Sequence, residues 1–264
     1  MTVFIFHDII LKLKNAVWGR NIMKLLILSD IHSNLSAFRA VMETSWEKYN
    51  PERVVLLGDH IDYGMRPNEL IRELKSIPYP IDINIWGNHE KAIMDGELSR
   101  FSSDRGRGFS KFTSEILTEE SREYILKQMQ ALGKAEMNCD NKKILCVHGS
   151  LQDCFWKSIS AEQDLSEYCG YDYVLSGHSH VPSCFDKFYA VDSPQKRNKK
   201  KTTFINPGSV GQPRNHSPRA CYAVLDTVTG EVHLDNAEYD FHKEQELYGS
   251  EIDVFYKTRI EEGI

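Results

Sequence analysis

Short apolar runs recur along the chain, and each ends in a cluster of small or polar residues. Continuous apolar runs of this length are typical of strands buried on both faces. The segments between them carry apolar residues at helical spacing, as they do after Asn34 and from Pro67 onward. A further helix is predicted from the Ser160 and Gln163 capping pair to Gly170. Strands that alternate with helices predict an α/β layered fold. The apolar runs are Lys24–Leu28, Arg53–Leu57, Ile81–Trp86, Ile144–Val147, Tyr173–Leu175 and Thr203–Ile205.

Polar side chains follow these predicted strands at the point where each strand ends. In open α/β sheets the ligand lies beyond the carboxyl ends of the strands. A single Asp or His at a strand end is commonly a turn former, so the joint occurrence of several carries the argument. The candidate residues are Asp30, His32, Asp59, Asn88, His148, His178 and His180.

This candidate set contains oxygen and nitrogen ligands and no thiolate. Imidazoles mixed with carboxylates suit Mn, Fe, Zn or Co, and differ from the thiolate ligands of a closed structural zinc site. Seven ligands are too many for one small transition ion that keeps open positions. They fit two ions if one carboxylate bridges, an arrangement that serves the in-line displacement of phosphoryl groups.

Composition excludes several classes of protein. The 264 residues are 41% hydrophobic and 27% charged, which is ordinary for a globular chain. No apolar run approaches the ~20 residues of a membrane helix. The net charge of −6 argues against a general nucleic-acid binder. The six cysteines form no CxxC pair, so we interpret them as small buried side chains in a reducing compartment and expect a cytoplasmic protein; structural zinc is the alternative.

The pattern indicates one domain with a separate N-terminal extension. Residues 1–22 lack a basic region and a cleavage site, so an extension is expected, with a short docking helix as the alternative. Residues 23–264 are expected to form a single domain with a helical insertion at about 95–135. Lys196–Lys201 is predicted to be a solvated loop, with a polyanion-binding patch as the alternative. Cys221–Asp226 and Glu231–Leu234 predict an antiparallel hairpin.

Five motifs occur in a fixed order and resemble those of the calcineurin-like metallophosphoesterase superfamily. Asn206-Pro207-Gly208-Ser209 is similar to the segment that follows in its small bacterial and archaeal phosphodiesterase-like branch. The resemblance covers about residues 23–240. The five motifs are Asp30-x-His32, Gly58-Asp59-x-x-Asp62, Gly87-Asn88-His89-Glu90, His148-Gly149 and Gly177-His178-x-His180.

The resemblance implies a fold and a set of residue roles. The fold is a four-layer α-β-β-α sandwich of two mixed sheets flanked by helices. Asp59 would bridge two divalent transition ions, with Mn²⁺ favoured and Fe, Zn, Co or Ni as alternatives. His89 would be the general acid, and Asp62 would orient it. One ion would be held by Asp30, His32 and His180, and the other by Asn88, His148 and His178.

The implied activity is hydrolysis of a small phosphodiester or nucleotide by a hydroxide that bridges the two ions. A serine/threonine protein phosphatase is an alternative, but Tyr63 stands where those enzymes have the Arg that binds phosphate. A non-catalytic scaffold of the same fold is a second alternative. Arg214 is either a phosphate ligand or a solvated side chain. Four further histidines are expected on the surface or in the core: His60, His216, His233 and His242.

Overall fold

Two five-stranded mixed sheets form the centre of this computed structural model, which describes residues 24–264. The predicted extension over residues 1–22 lies outside the described residues. The strands are β1 Lys24–Leu28, β2 Arg53–Leu56, β3 Ile81–Asn84, β4 Lys134–Cys139, β5 Lys142–Val147, β6 Tyr173–Ser176, β7 Ser183–Ala190, β8 Lys199–Asn206, β9 Ala220–Asp226 and β10 Val232–Ala237.

Seven α-helices are found among the described residues. They are α1 Leu35–Tyr49, α2 Pro67–Ser76, α3 Asn88–Asp95, α4 Asp104–Ile116, α5 Glu119–Gln128, α6 Phe241–Gln245 and α7 Val254–Glu262. Local sequence explains where several of them begin. The Asn34 side chain accepts a hydrogen bond from the Ala37 amide at the start of α1, and the Thr118 side chain does the same for Ser121 at the start of α5. Pro67 opens α2, where its missing N–H costs nothing.

The two sheets have matching plans. The first has the order β10-β9-β1-β2-β3 and the second β4-β5-β6-β8-β7. Strands β1, β2 and β3 are parallel, as are β5, β6 and β8, while the remaining strands pair antiparallel with their neighbours. The candidate ligands were predicted in the loops at the carboxyl ends of five of these six parallel strands, all except β8.

Both faces of the central strands are buried, as the continuous apolar runs predicted. On β1, Leu25 and Ile27 pack between the two sheets against residues such as Ile144. The alternate residues of β1 pack under α1, where they meet Phe38. Each fully buried aliphatic side chain contributes roughly 1.5–3 kcal/mol. The two-sheet α/β architecture and the hairpin of β9 and β10 are confirmed.

The predicted helix from Ser160 to Gly170 is wrong. The segment forms turns and one 3₁₀ turn, Ser166–Tyr168, which covers the outer face of the second sheet. The Gln163 side chain does reach back to the Ser160 amide, at 3.3 Å, but the Ser160 hydroxyl bonds to Glu162 instead of capping a helix. Such local side-chain bonds compete with helix formation.

The basic run Lys196–Lys201 is also not a simple loop. Its first residue ends a 3₁₀ turn, and Lys199, Lys200 and Lys201 begin β8, where they pair with β7. Within the region expected to be helical, α4 and α5 are present and β4 follows from Lys134. That these helices are an insertion into one domain stays a prediction.

The described part of the chain contains no helix that is long and apolar enough to cross a membrane. The six cysteines, all among the described residues, form no disulfide with one another; Cys139, Cys146 and Cys221 are buried, as predicted, while Cys169 and Cys184 are exposed.

Candidate metal site

The predicted ligands meet at one edge, where the two sheets present the carboxyl ends of their parallel strands. A first group consists of Asp30, His32, Asp59 and His180, each buried and each offering a ligand atom within 4.8 Å of the others. The Asp30 Oδ1 atom lies 3.1 Å from His180 Nε2, and the Nε2 atoms of His32 and His180 are 3.2 Å apart. These four side chains could hold one metal ion.

A second group forms around the same aspartate. Asp59, His148 and His178 offer ligand atoms that also lie within 4.8 Å of one another. The Asn88 Oδ1 atom completes the group, at 3.0 Å from His148 Nε2 and 2.9 Å from His178 Nδ1. All seven residues singled out in the sequence are therefore brought together, and Asp59 belongs to both groups.

Two buried carboxylate oxygens in the site, Asp30 Oδ1 and Asp59 Oδ2, form no well-oriented hydrogen bond with the described residues. The imidazole nitrogens nearest to them, His180 Nε2 at 3.1 Å and His148 Nε2 at 3.3 Å, are themselves candidate ligand atoms. A buried anion without a partner is costly unless a cation completes it. Together with the oxygen and nitrogen character of the donors, these orphaned oxygens fit divalent metal ions.

Backbone carbonyls orient three of the imidazoles. The Nδ1 atoms of His32, His148 and His180 lie 3.3, 2.8 and 2.6 Å from the carbonyl oxygens of Ile61, Leu57 and Gln212. Once the ring is neutral, donation from Nδ1–H leaves the Nε2 lone pair directed into the site, an arrangement found around metal-ligating histidines.

The turns that carry the ligands hold unusual backbone conformations. Asp30, His32, Asp59, His178 and His180 all have positive φ, between 47° and 65°. Left-handed conformations are costly for residues with a Cβ, and they concentrate at functional sites. Glycines flank these turns because there is no room for a side chain: a Cβ on Gly87 would lie 2.0 Å from Asp59 Oδ1, and one on Gly177 would lie 2.0 Å from Ser29 Oγ.

Glu90 holds the turn that follows β2, a role that the sequence analysis did not assign. Its buried carboxylate accepts hydrogen bonds from the amides of Asp59 at 2.9 Å, His60 at 2.7 Å, Ile61 at 3.1 Å and Gly87 at 2.8 Å. Four amide donors compensate the burial of this charge. The sequence did carry an indication of this role, because Glu90 is the third residue of α3, the position of the acidic residue in a capping box.

The segment after β8 supports the first group of ligands. The Ser209 hydroxyl donates to the Asp30 carbonyl at 2.7 Å, and the Gly211 amide bonds to the same oxygen at 3.1 Å. The Asn206 carboxamide donates to the Gly177 carbonyl at 2.8 Å. The Asn206-Pro207-Gly208-Ser209 segment therefore anchors the turns that carry Asp30 and His178.

His89 lies beside the ligands without joining either group. Its Nδ1 atom is 2.6 Å from Asp62 Oδ2, and its Nε2 atom is 3.8 Å from Asp59 Oδ2. Asp62 also accepts bonds from Ser110 Oγ and Thr113 Oγ1 on α4. Burial lowers the pKa of His89, but the charge of Asp59 and the bond to Asp62 outweigh it, so the pKa lies above its ordinary value.

The ligand groups have strongly displaced pKa values in the absence of ions. Burial is the largest single influence and would raise the pKa of Asp30, but His180 and the charge of His148 together hold it well below its usual range. Burial together with the charge of His148 lowers the pKa of His178 to about 4. For His148, burial lowers the pKa, but the charge of Asp59 raises it further, to about 9. Clustered, displaced pKa values of this kind are typical of functional sites.

Tyr63 and Arg214 lie next to the ligand groups, whereas the histidines expected outside the site do not join them. The Tyr63 ring lies 4.4 Å from the His89 ring and 5.1 Å from the His32 ring. Arg214 is half-buried, and its amide donates to the His180 carbonyl at 3.2 Å. Of the histidines expected to lie outside the site, His60 is buried and bonds Asn84 at 2.8 Å, and His233 lies 3.2 Å from Glu231.

Comparisons with known proteins identify the family and the fold. A family model described as the calcineurin-like phosphoesterase superfamily domain matches residues 23–230. An uncharacterized protein of Methanocaldococcus jannaschii is 29% identical over 230 residues, which cover 83% of this chain and 89% of that protein. The crystal structure of a metallophosphoesterase from Sphaerobacter thermophilus is 25% identical with a TM-score of 0.72, covering 92% of this chain and 100% of its own.

A hypothetical protein from Pyrococcus horikoshii has the same fold, with a TM-score of 0.68 and 22% identity over 89% of this chain and 98% of its own. The match to the family model spans well over half of the sequence, and all seven candidate ligands lie within the matched residues. The chain therefore belongs to the calcineurin-like phosphoesterase superfamily.

Proposed function

We propose that the protein is a dinuclear-metal-dependent phosphoesterase that hydrolyses phosphodiester or nucleotide substrates. The observation that carries the proposal is the position of Asp59, which lies in both ligand groups and has a buried oxygen that forms no well-oriented hydrogen bond with the described residues. The chemistry that two divalent ions supply in such a site is Lewis acidity, which polarises phosphoryl oxygens and activates water. We further propose Mn²⁺ as the ion, because the oxygen and nitrogen ligands suit it; Fe, Zn, Co and Ni are the alternatives for the same ligand set.

The chain's own residues supply the proton transfer. His89 is buried beside Asp59, and its Nε2 atom is directed toward the site while Nδ1 bonds to Asp62. A donor that is held in this way protonates the departing alkoxide as a general acid. Asp62 is held in turn by Ser110 and Thr113, so it positions the imidazole and favours its protonated form.

The alternative of a serine/threonine protein phosphatase is less well supported. Tyr63 occupies the position that carries a phosphate-binding Arg in the resembled enzymes, and its ring packs against His32, His89 and Tyr256. A phenol buried among rings supplies no cation for a phosphoserine. The presence of all seven ligands and His89 opposes a purely structural use of the fold.

An activity panel tests the proposal. The metal-free protein is reconstituted with Mn²⁺ and assayed on a phosphodiester, a phosphomonoester, a dinucleoside polyphosphate and a phosphopeptide. We expect hydrolysis of the diester or a nucleotide, and little release from the phosphopeptide. A preference for the phosphopeptide would favour the protein-phosphatase alternative instead.

Metal removal gives the matching control. Activity is expected to vanish on exhaustive chelation and to return with Mn²⁺ or Co²⁺ more fully than with Mg²⁺, because imidazoles are poor ligands for Mg²⁺. Full activity in protein shown by elemental analysis to be free of metal would contradict the proposal.

A further inference from the structure

A cavity lies at the end of the second sheet that is opposite the candidate metal site. Its volume is about 200 Å³, and residues at the starts of β5, β6 and β8 line it. The carboxyl ends of these parallel strands are directed toward the metal site, so a strand length of roughly 13–26 Å separates the cavity from that edge. None of the candidate ligands, nor His89 or Asp62, is among the described residues that line it.

Five lysines line this cavity. Lys201 pairs with Asp186 at 3.2 Å, whereas the other four form no ion pair with a carboxylate of residues 24–264. Lysines elsewhere in the same range commonly have an acidic neighbour, as Lys75 has in Glu120. Four unpaired like charges around one cavity repel one another, and an anion between them would remove that cost. The four are Lys142, Lys196, Lys199 and Lys200.

The alternation of side chains along a strand directs three of these lysines to one face. Ile144 and Ile205 pack between the two sheets, farther along β5 and β8. Lys142 stands two residues before Ile144, so it projects from the same face of the sheet. Lys201 and Lys199 stand four and six residues before Ile205, and they share that face too. The face that is apolar between the sheets is therefore basic where it reaches the cavity.

Two of the lysines are partly withdrawn from solvent. Lys142 and Lys200 are half-buried, and neither ammonium group forms an ion pair or a side-chain hydrogen bond within the described part of the chain. Asp172 is the one carboxylate among the described lining residues, and it accepts a hydrogen bond from the Lys143 amide at 2.8 Å. A half-buried cation loses hydration that a bound anion would replace. The lining thus has five cations and one carboxylate.

An exposed aromatic ring adjoins the lysines. Strand β6 begins opposite Thr203, so among the described strands β8 pairs over residues 199–202 with β7 alone, and the two form a short arm. Phe188 is directly opposite Lys201 on this arm, so the two side chains lie on the same face. The Phe188 side chain is 60% exposed. An exposed ring beside a row of cations can stack a base while the cations bind the adjoining phosphates.

We propose that this cavity and the Phe188 ring bind single-stranded nucleic acid, with phosphates at the lysines and a base on the ring. The volume suits phosphate groups of a strand, since pockets that enclose a drug-sized ligand measure about 300–1,000 Å³. The net charge of −6 does not oppose this binding, because salt limits the reach of exposed charges to about 10 Å. The proposal goes beyond the phosphoesterase function and does not depend on it.

Anisotropy of a labelled RNA tests the proposal. The full chain is titrated into a fluorescent oligouridylate of about 12 nucleotides, within the usual site size for single strands. The titration is made with and without chelator, and the RNA is checked for cleavage afterwards. We expect equal binding in both conditions. The slope of log K against log salt should be about −3, since each of four neutralised phosphates contributes about −0.7.

Lysine variants locate the binding in the cavity. The double variant Lys199→Gln, Lys200→Gln should reduce the salt slope to about half and weaken binding by about tenfold or more. Lys142→Gln changes a different strand that lines the same cavity, and it should reduce both quantities by a smaller amount. An interaction confined to the tip of the arm would leave Lys142→Gln unaffected, and that result would overturn the proposed site.

Phe188 variants test the stacking. Phe188→Ala should weaken RNA binding about five- to a hundredfold and leave the salt slope unchanged, because stacking releases no counterions. Phe188→Trp should retain the affinity of the wild type. The ring is exposed, so both variants should keep the melting temperature of the wild type. Unchanged affinity in Phe188→Ala, with full competition by tripolyphosphate, would indicate a small polyphosphate ligand and overturn the nucleic-acid proposal.

A charge-matched control separates the cavity from general attraction. Lys75→Gln, Lys127→Gln removes two positive charges from α2 and α5, where both lysines have glutamate partners, and it should change RNA affinity by less than about twofold. A loss equal to that of the cavity variants would overturn the proposal. So would absence of binding at low salt, loss of binding on chelation, or lysine-dependent binding of anionic vesicles without binding of RNA. Cavity-dependent RNA binding in a protein that cleaves no ester would support this proposal and contradict the proposed function alone.

Discussion

The two ligand groups share Asp59 but differ in charge and burial. The first contains two carboxylates and two imidazoles, and all four residues are buried. The second has Asp59 as its one carboxylate, together with two imidazoles and the Asn88 carboxamide, and His178 is only partly buried. Because a dication is attracted more strongly by two carboxylates than by one, the first group should hold its ion more tightly. On the proposed function we therefore expect one firmly held ion beside a more exchangeable one.

The shared residue is also what couples the two groups. The backbone N–H of Asp59 donates a hydrogen bond to the Glu90 carboxylate. Its side-chain Oδ1 atom accepts a hydrogen bond from the backbone N–H of His89 at 2.9 Å. Its Oδ2 atom is thereby left available to bind the proposed ions. Loss of this one carboxylate should therefore affect both groups, whereas loss of an imidazole should affect one.

Asp59→Asn is expected to have the largest effect. The variant removes a negative charge that faces both ions, so metal content should fall below one equivalent per chain. Turnover should fall by about a thousandfold or more, beyond the loss usually caused by removing a single transition-state contact. Elemental analysis and steady-state kinetics measure both quantities.

The matched control for this variant is Asp235→Asn. Asp235 bonds Lys48 and Tyr49 on the surface of the first sheet, far from the ligand groups in the fold, so two equivalents of metal should be retained. Retention of two equivalents in Asp59→Asn as well would argue against a bridging role.

His89→Ala is expected to reduce turnover without removing metal. The loss should be on the order of 10²–10⁴, the usual contribution of a positioned general acid. It should be smallest for a nitrophenyl ester, whose leaving group departs without a proton, and largest for an alkyl or nucleoside ester. Kinetics on both esters, with metal measured in the same sample, check the expectation.

Equal losses on the two esters would contradict the general-acid role. Such a result, with reduced metal content, would indicate that His89 only supports the start of α3. His233→Ala is a suitable control, because His233 is near the surface beside Glu231 and outside both ligand groups.

His178→Ala and His180→Ala form a matched pair that separates the two groups. His178→Ala should lose the more exchangeable ion and keep the other, while His180→Ala should weaken the firmly held one. A decrease of at least about tenfold in the affinity of the affected site is expected, since even outer contacts to a ligand are worth that much. Competition with a chelator resolves the two affinities. Identical metal loss in both variants would contradict the proposed division of ligands.

A smaller effect is expected from pH. In the metal-free protein the pKa of His148 is raised to about 9, so this imidazole is protonated at neutral pH and must release its proton to bind an ion. Affinity at the second group should therefore rise with pH up to about 9, by at most about tenfold per unit. Calorimetry in buffers of different ionisation enthalpy would count the released proton. Affinity that is independent of pH from 6 to 9 would contradict this expectation.

Most of the central site could be predicted from the sequence because its residues follow directly after strands that the apolar pattern reveals. Asp30, Asp59 and His148 follow continuous apolar strands, and parallel strands bring their carboxyl ends to one edge. The order of the motifs then identified the family. The ligand residues could be predicted because each lies within four residues of a strand end or a helix start.

The outer parts of the structure were not predictable in the same way. Strand β7 has neither a continuous apolar run nor a regular alternation of polar and apolar residues, and Lys199–Lys201 form a strand only through pairing with it. The packing of Tyr256 against Tyr63 joins residues almost two hundred positions apart, which no local pattern indicates. Glu90 was visible in its motif, but its four amide partners depend on the turn after β2.

Electron paramagnetic resonance of the protein loaded with Mn²⁺ tests the central claim most directly. Two ions that share Asp59 should lie about 3.5–4 Å apart, close enough for their spins to be coupled through the bridge. We expect a coupled spectrum in the wild type at two equivalents of Mn²⁺, and its disappearance in Asp59→Asn. A wild-type spectrum of isolated Mn²⁺ at full loading, or a coupled spectrum that persists in Asp59→Asn, would contradict the account.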